Sequence, residues 1–310
     1  MRISDNTIIR NYMNTLSSGA EQRSQESLKV STGRAYQTVS EDPVAAMKAM
    51  KIRRSLARID DYQSNITDLK AVTDERESAF SELSDILTEV GALVGQGKTG
   101  TYSESDRASI ASALRGYQET TFDIGNSSYC GKYIFGGTDE YEIPFSLDAD
   151  GNLLYQGTNV DSGTFAPERF DMDISAGTTV NTAFSGVSLL GSGVDSNGLP
   201  NNVYNLIGEI ASALENNNLS GMDTYSKKLT TVQEDVTVQH AEIGAQGKFI
   251  EFFSDRLTAT ETNLTERQTG LEGVDNAEAI MNYNLVSSAY DATLAMGAKI
   301  IPQTLLNYIR

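Results

Sequence analysis

Residues 52–94 read IRRSLARIDDYQSNITDLKAVTDERESAFSELSDILTEVGALV. Alternating steps of three and four pick out Ile52, Ser55, Ile59, Tyr62, Ile66, Leu69, Thr73, Arg76, Phe80, Leu83, Leu87, Val90 and Val94. Ten of these thirteen are apolar or aromatic, and the three lapses (Ser55, Thr73, Arg76) keep the phase. A 3.5-residue period held this long marks a helix packed along a seam, and no Pro interrupts it. The same rule gives Leu229, Val232, Val236, Gln239, Ile243, Gln246, Ile250, Phe253, Leu257, Thr260 and Leu264, eight of eleven apolar. Globular helices average about 11–12 residues, so these blocks predict long coiled-coil-like rods.

Shorter helices flank the rods. Ile110, Leu114, Tyr117, Thr121 and Ile124 form a stripe behind an N-cap at Ser103 or Ser105, and Gly95, Gly97 and Gly100 end the first rod. Val203, Leu206, Ile207, Ile210 and Leu214 form another stripe, closed by Asn216-Asn217-Asn218. Residues 131–200 differ in kind, with eleven Gly, three of the five Pro, ten acidic and two basic residues. Alternation in Lys132–Phe135 and Asn152–Tyr155, with Asp150-Gly151 as a turn signal, predicts a small β-rich insertion. The fold class is therefore mainly α with an inserted β domain: antiparallel rods with a β-rich tip. The expected divisions are an N-terminal helix at 1–40, rod halves at 41–130 and 201–272, the β domain at 131–200, and a C-terminal helix at 273–310. The N-terminal segment has sparse apolar positions, among them Ile3, Ile8, Ile9, Tyr12, Met13, Leu16, Leu28 and Val30. The C-terminal segment carries one stripe of Tyr283, Val286, Tyr290, Leu294, Gly297, Ile301, Leu305 and Tyr308, and another of Leu285, Ala289, Ala292, Met296 and Ile300. A helix with two apolar stripes needs partners on more than one side.

Composition narrows the function. The 310 residues carry 42 Asp+Glu against 24 Lys+Arg, a formal charge of −18. That balance opposes nucleic-acid binding and electrostatic docking on an anionic membrane. No stretch approaches the ~20 apolar residues of a membrane span, and the polar start lacks the apolar run of a cleaved signal. Export, if it occurs, must therefore read another signal. The single Cys130 excludes an intrachain disulfide and a Cys-based zinc cluster, and its place beside Gly131 suggests a packed small residue. His240, the one histidine, reads as a solvated surface residue without a Cys or Ser partner. Asp148-Ala149-Asp150-Gly151 starts like a calcium loop, but Leu153 and Asn159 stand where Gly and Glu are required, so it reads as a turn. Gly136-Gly137 and Gly191-Ser192-Gly193 lack the Lys and strand–helix setting of a phosphate loop. No catalytic constellation, cofactor site or metal site emerges, and no enzyme is expected.

Four stretches carry a resemblance. Ser31-Thr32-Gly33-Arg34 with Ser40-Glu41-Asp42-Pro43-Val44-Ala45-Ala46, then Tyr133-Ile134-Phe135-Gly136-Gly137-Thr138 with Pro144-Phe145 and Tyr155-Gln156-Gly157, then Ile243-Gly244-Ala245, and last Asp275–Ala279, Ala289–Leu294 and Leu305–Arg310, resemble the flagellin superfamily. The mid-chain stretch is more similar to its hook-associated junction proteins than to filament flagellins. The resemblance implies a structural subunit of the bacterial flagellum joining hook to filament, exported through the flagellar type III apparatus and extracellular. Implied partners are further copies in a ring, other hook-associated proteins, flagellin, and an export chaperone on the C-terminal helix, with no nucleic acid and no membrane insertion. The terminal helices would pack in a tubular core, the rods around them and the β domain outermost. The expected assembly interface is Ile8, Met13, Leu16, Leu28, Asp42, Pro43, Leu285, Ala289, Tyr290, Ala292, Leu294, Met296, Ile301, Leu305 and Leu306. The alternatives are filament flagellin, or a secreted adhesive or carbohydrate-active protein on a stalk.

Overall fold

The computed structural model describes residues 5–149 and 151–300, so the expected positions Ile3, Ile301, Leu305, Leu306 and Tyr308 lie outside the described residues. Seven helices are described: α1 (Asp5–Thr32), α2 (Pro43–Gly97), α3 (Glu104–Gly125), α4 (Gly186–Leu190), α5 (Val203–Glu215), α6 (Met222–Glu272) and α7 (Asn276–Ile300). Seven short strands lie between α3 and α4: β1 (Ser128–Tyr129), β2 (Lys132–Tyr133), β3 (Phe145–Leu147), β4 (Leu153–Tyr155), β5 (Thr158–Asn159), β6 (Asp171–Ser175) and β7 (Thr178–Asn181). The chain forms two compact units, residues 60–258 and residues 1–59 with 259–310; α2 and α6 contribute to both.

In the unit of residues 60–258, α2 and α6 pair antiparallel. Thr73 lies beside Gly247, the Phe80 ring against His240, and Gly91 beside Leu229, so one number falls as the other rises. Gln233 Nε2 donates to the Thr88 hydroxyl at 3.2 Å, and Lys98 pairs with Asp223 at 3.0 Å. The heptad seam is the buried line: Ile66, Leu69, Phe80, Leu83, Leu87, Val90 and Val94 face Leu229, Val232, Val236, Ile243, Ile250, Phe253 and Leu257. Two of its apparent lapses are buried as well. Thr73 returns its hydroxyl to the Leu69 carbonyl at 2.8 Å, which satisfies it inside its own helix. Arg76, 4% exposed, leaves the rod altogether. Its Nε donates to the Ile134 carbonyl at 3.0 Å and a terminal nitrogen to the Thr182 carbonyl at 2.9 Å. Burial, only partly opposed by Glu140, pushes this guanidinium down to about 10.

The helices α3 and α5 complete the bundle. Ser103 caps α3 and, with Asp106, closes a reciprocal capping box; Asn202 caps α5. Ile110, Ala111 and Leu114 share the core with Leu206, Ile210, Ala211 and Leu214. Buried Arg107 ties the turn after α2 to the turn after α5, donating to the Gly97 carbonyl at 3.2 Å and to Asn217 Oδ1 at 2.7 Å.

The β insertion consists of small antiparallel hairpins rather than one sheet. Strands β1 and β2 meet through Cys130-Gly131, both left-handed (φ 51° and 79°), the conformation of a two-residue type I′ turn. Cys130 is accordingly exposed at a hairpin tip, not packed as expected. Strands β3, β4 and β5 form a meander with Phe145 opposite Tyr155, and β6 pairs with β7. Around the calcium-like stretch, whose Asp150 lies outside the described residues, Asp148 accepts the Asn152 N–H at 2.8 Å through Oδ1 and the Gly151 N–H at 3.1 Å through its carbonyl, as in a turn. The Gly136-Gly137-Thr138 stretch cradles a carboxylate from its own chain. Glu168 accepts the Thr138 N–H and, at 2.9 Å, the Thr138 hydroxyl, and it fills the space a Cβ at 137 would need.

The insertion is anchored on the rods. Phe80 of α2 meets Phe135 and Phe184 edge-on, with centroids 6.5 and 5.8 Å away. Asn65 and Gln246 donate to the carbonyls of Asp173 and Asn181 at 2.8 and 3.1 Å. His240 is half-buried and stacked on Phe80, centroids 6.1 Å apart, which corrects its reading as a solvated residue. Truncating a seam residue tests the packing. Leu257→Ala should cost about 2–5 kcal/mol through lost burial and a cavity, and Ser254→Ala, off the seam, under about 0.5 kcal/mol. Thermal melts measure both; equal effects would contradict this seam.

Candidate assembly interface

The unit of residues 1–59 and 259–310 is built by pairing the two ends of the chain. Helices α1 and α7 lie antiparallel. The Tyr12 hydroxyl occupies the space a Cβ at Gly297 would take, Gly19 touches the Tyr290 ring, and Arg23 sits over that ring at 4.4 Å. Tyr12, Leu16, Ala20 and Val30 on one helix and Tyr283, Val286, Tyr290 and Thr293 on the other are half-buried. Each helix thus spends one face on its partner.

The signature residues fold the link between α1 and α2. Gly33, at φ 67°, stops α1. Ala35 donates to the Glu272 carbonyl at 2.8 Å and Val274 to the Gly33 carbonyl at 3.1 Å, a bridge that fastens this link to the turn between α6 and α7. Glu41 accepts the Gln37 N–H and the Thr38 hydroxyl, which hold its carboxyl below the usual range. Asp42 Oδ1 accepts the N–H groups of Val44 and Ala45 at 3.1 and 2.9 Å, and Pro43 takes the first helical position. Asp275 caps α7 in the same way through Ala277 and Glu278. Behind the link, Arg53 pairs with Glu272 at 2.6 Å. Burial raises the Glu272 carboxyl, but hydrogen bonds from Arg53 and Gln268 outweigh it and hold it below the usual range.

The expected interface residues divide into four sets. Ile8, Met13, Leu28, Leu285, Ala289, Ala292, Leu294 and Met296 are exposed; Leu285 reaches 70%. Leu16 and Tyr290 are half-buried between α1 and α7, and Asp42 and Pro43 are exposed at the start of α2. The remaining three are outside the described residues. The structure also places Leu294 off the stripe of Tyr290 and Gly297 that meets α1. Ile280 and Met281 on α7 and Val44, Met47 and Met50 on α2 are exposed as well. The α2 trio falls at steps of three, a spacing readable in the sequence but placed ahead of the heptad block. Five of the chain's eight Met lie exposed in this unit, and such unbranched side chains adapt to irregular partners. Among the described residues no cluster of His, Cys, Asp and Glu could hold a metal, and no helix is long and apolar enough to cross a membrane.

Comparison with known proteins gives this surface its context. Residues 3–140 match the bacterial flagellin N-terminal helical region and residues 226–309 the bacterial flagellin C-terminal helical region, together well over half of the chain. The chain belongs to the flagellin family. Flagellin of Bacillus subtilis (strain 168) is 25% identical over 331 residues, covering 100% of both chains. Flagellar hook-associated protein 3 of Salmonella typhimurium is 23% identical over 265 residues, covering 79% of this chain and 80% of that one. The fold is shared with FlgL of Xanthomonas campestris (TM-score 0.59, 16% identity, 70% of this chain and 99% of that one). It is shared also with FlgL of Bacillus cereus (TM-score 0.57, 20% identity, 71% and 99%). The family signature at residues 31–46 is thus occupied with capping and bridging. The Glu272 tie has a pH signature. A carboxyl held below its unfolded value contributes stability above that value and loses it as pH falls through the folded one. Glu272→Gln should therefore lower stability by about 1 kcal/mol at neutral pH, with the difference from wild type shrinking as pH falls below the ordinary carboxylate range in melts run as a pH series.

Proposed function

We propose that this chain is a structural subunit joining hook to filament in the bacterial flagellum. It leaves the cell through the flagellar type III apparatus and closes into a ring, with α1 and α7 in the core of the tube. The family and the named relatives, flagellin and hook-associated protein 3, are structural flagellar proteins. The observation that carries the reading is the free face of the terminal unit. Ile8, Met13 and Leu28 on α1 and Ile280, Met281, Leu285, Leu294 and Met296 on α7 stay exposed although each helix already has one partner. An exposed apolar set of this kind marks a protein–protein surface. Further copies, other hook-associated proteins and flagellin are its partners, and an export chaperone takes the C-terminal helix before assembly.

Filament flagellin is the second reading, supported by the end-to-end match to Bacillus subtilis flagellin. That flagellin aligns over this chain's whole length, the β insertion included, so the length of the insertion does not separate the two readings.

The test separates assembly from folding. Leu285→Asp with Leu294→Asp places carboxylates on an exposed face, so the monomer should keep wild-type helicity and melting temperature. Unpaired carboxylates buried between subunits cost several kcal/mol each, on the order of a whole contact. Cells carrying the variant should export it, shed flagellin into the medium and fail to swim. An exported variant that still supports normal filaments would overturn the reading. Cells that lack the chain altogether yet carry full-length filaments would do the same.

A further inference from the structure

The acidic chain contains one basic face. Residues 43–59 hold Lys48, Lys51, Arg53, Arg54 and Arg58 and no acid, whereas residues 60–258 hold 31 acids against 11 bases. Lys48, Lys51, Arg54 and Arg58 follow at steps of three, three and four, so they share a face of α2, and all four are exposed. Arg53 is taken by Glu272, while the other four form no ion pair among the described residues. Like charges one turn apart repel, so this stripe weakens its own helix and no ion pair among the described residues compensates it.

Further along α2, Asp61, Asp68, Glu75, Glu82 and Glu89 recur every seven residues. Each is exposed and none is in an ion pair among the described residues. A strict seven-residue repeat stays on one face of a supercoiled helix. The sequence therefore places a continuous acidic stripe outside the seam, and Arg54 occupies the same heptad position one repeat earlier.

We infer that the basic stripe of one copy docks on the acidic stripe of a second copy. The contact rests on the assembly reading above and names the electrostatic part of it. Charge complementarity selects this occupant: an anionic lipid surface or a nucleic acid would meet one basic face and be repelled by the 31 acids of residues 60–258. A second copy brings the complementary stripe with it. The contact is heterologous, because each copy offers its basic stripe to one neighbour and its acidic stripe to another. Such a contact closes a ring or extends a helix, and it fixes which side of each rod meets the next.

Zero-length carbodiimide coupling of lysine to carboxylate tests this, in concentrated equal mixtures of ¹⁵N-labelled and unlabelled full chain. Mixed-isotope peptides should join Lys48 or Lys51 to Asp68, Glu75 or Glu82. Their yield should fall at least about fivefold in about 0.5 M NaCl, where charges are screened within a few Å. Arg54→Glu with Arg58→Glu should lower the yield as much, with circular dichroism unchanged. Absence of such peptides, or indifference to salt and to the substitutions, would overturn the inference. Binding to phosphatidylglycerol vesicles without mixed peptides would overturn it in favour of a membrane. In cells, an exported Arg54→Glu/Arg58→Glu variant that builds normal filaments sinks the stripe contact alone, whereas the outcome of Leu285→Asp/Leu294→Asp decides the assembly reading itself.

Discussion

The structure of residues 60–258 turns on one buried guanidinium. Arg76 sits at a seam position of a heptad rod, yet its hydrogen bonds go to carbonyls 58 and 106 residues along the chain, one near each end of the β insertion. A charge in that environment is costly unless several acceptors meet it. Here two carbonyls and the Phe184 ring, 5.3 Å away, do so. The small hairpins around it have little core of their own: β1, β2 and β5 are two residues long. Short hairpins are marginal in isolation, so their order depends on what fastens them to α2 and α6. Arg76, the Phe80–Phe135–Phe184 contacts, Asn65 and Gln246 supply that fastening.

The two units divide the labour. The unit of residues 60–258 has a closed core, with Phe80, Leu83, Leu87, Leu114, Leu206 and Ile210 fully buried, although Tyr141, Ile143, Phe170 and Phe252 stay exposed on its surface. The terminal unit leaves many of its largest apolar side chains exposed on α1, α2 and α7. Folding and assembly can therefore be perturbed separately. On the assembly reading proposed above, substitutions along the seam act on stability and substitutions on the free faces act on assembly. The polar groups of residues 31–46 belong to neither set, since they cap α2 and bridge to the turn before α7.

Much of this was legible from residue spacing. Period 3.5 locates α2 and α6, Ser103 (of the two caps offered, Ser103 and Ser105) and Asn216 mark real helix ends, and glycine content marks the insertion. The errors share a cause. His240 reads as solvated on polarity alone, but the opposing rod supplies its partner, while Thr73 and Arg76 keep the phase and are buried on the seam, satisfied by their own backbone and by the insertion. Cys130 was judged by its apolar character, whereas its left-handed backbone in a type I′ turn sets its place. Of the candidate interface, the exposed Leu285, Leu294 and Met296 of α7 fall on its two stripes, whereas Ile8, Met13 and Leu28 of α1 are sparse apolar positions in the sequence and Ile280 and Met281 lie on neither stripe. Tyr290 was given to neighbouring subunits, although Arg23 and Gly19 of the same chain already cover its ring. Pairing of the two chain ends cannot be read from either end separately.

The most direct measurement is hydrogen exchange on Arg76→Met, a change that keeps the side chain long but removes both donors. Each lost bond from a charged donor is worth about 1.5–3 kcal/mol. The account predicts that amides of β2, β6 and β7 lose protection at least about tenfold, for a loss above about 1.4 kcal/mol, while the seam amides of α2 and α6 stay protected. Unchanged protection across residues 132–182, with a wild-type melting temperature, would contradict it.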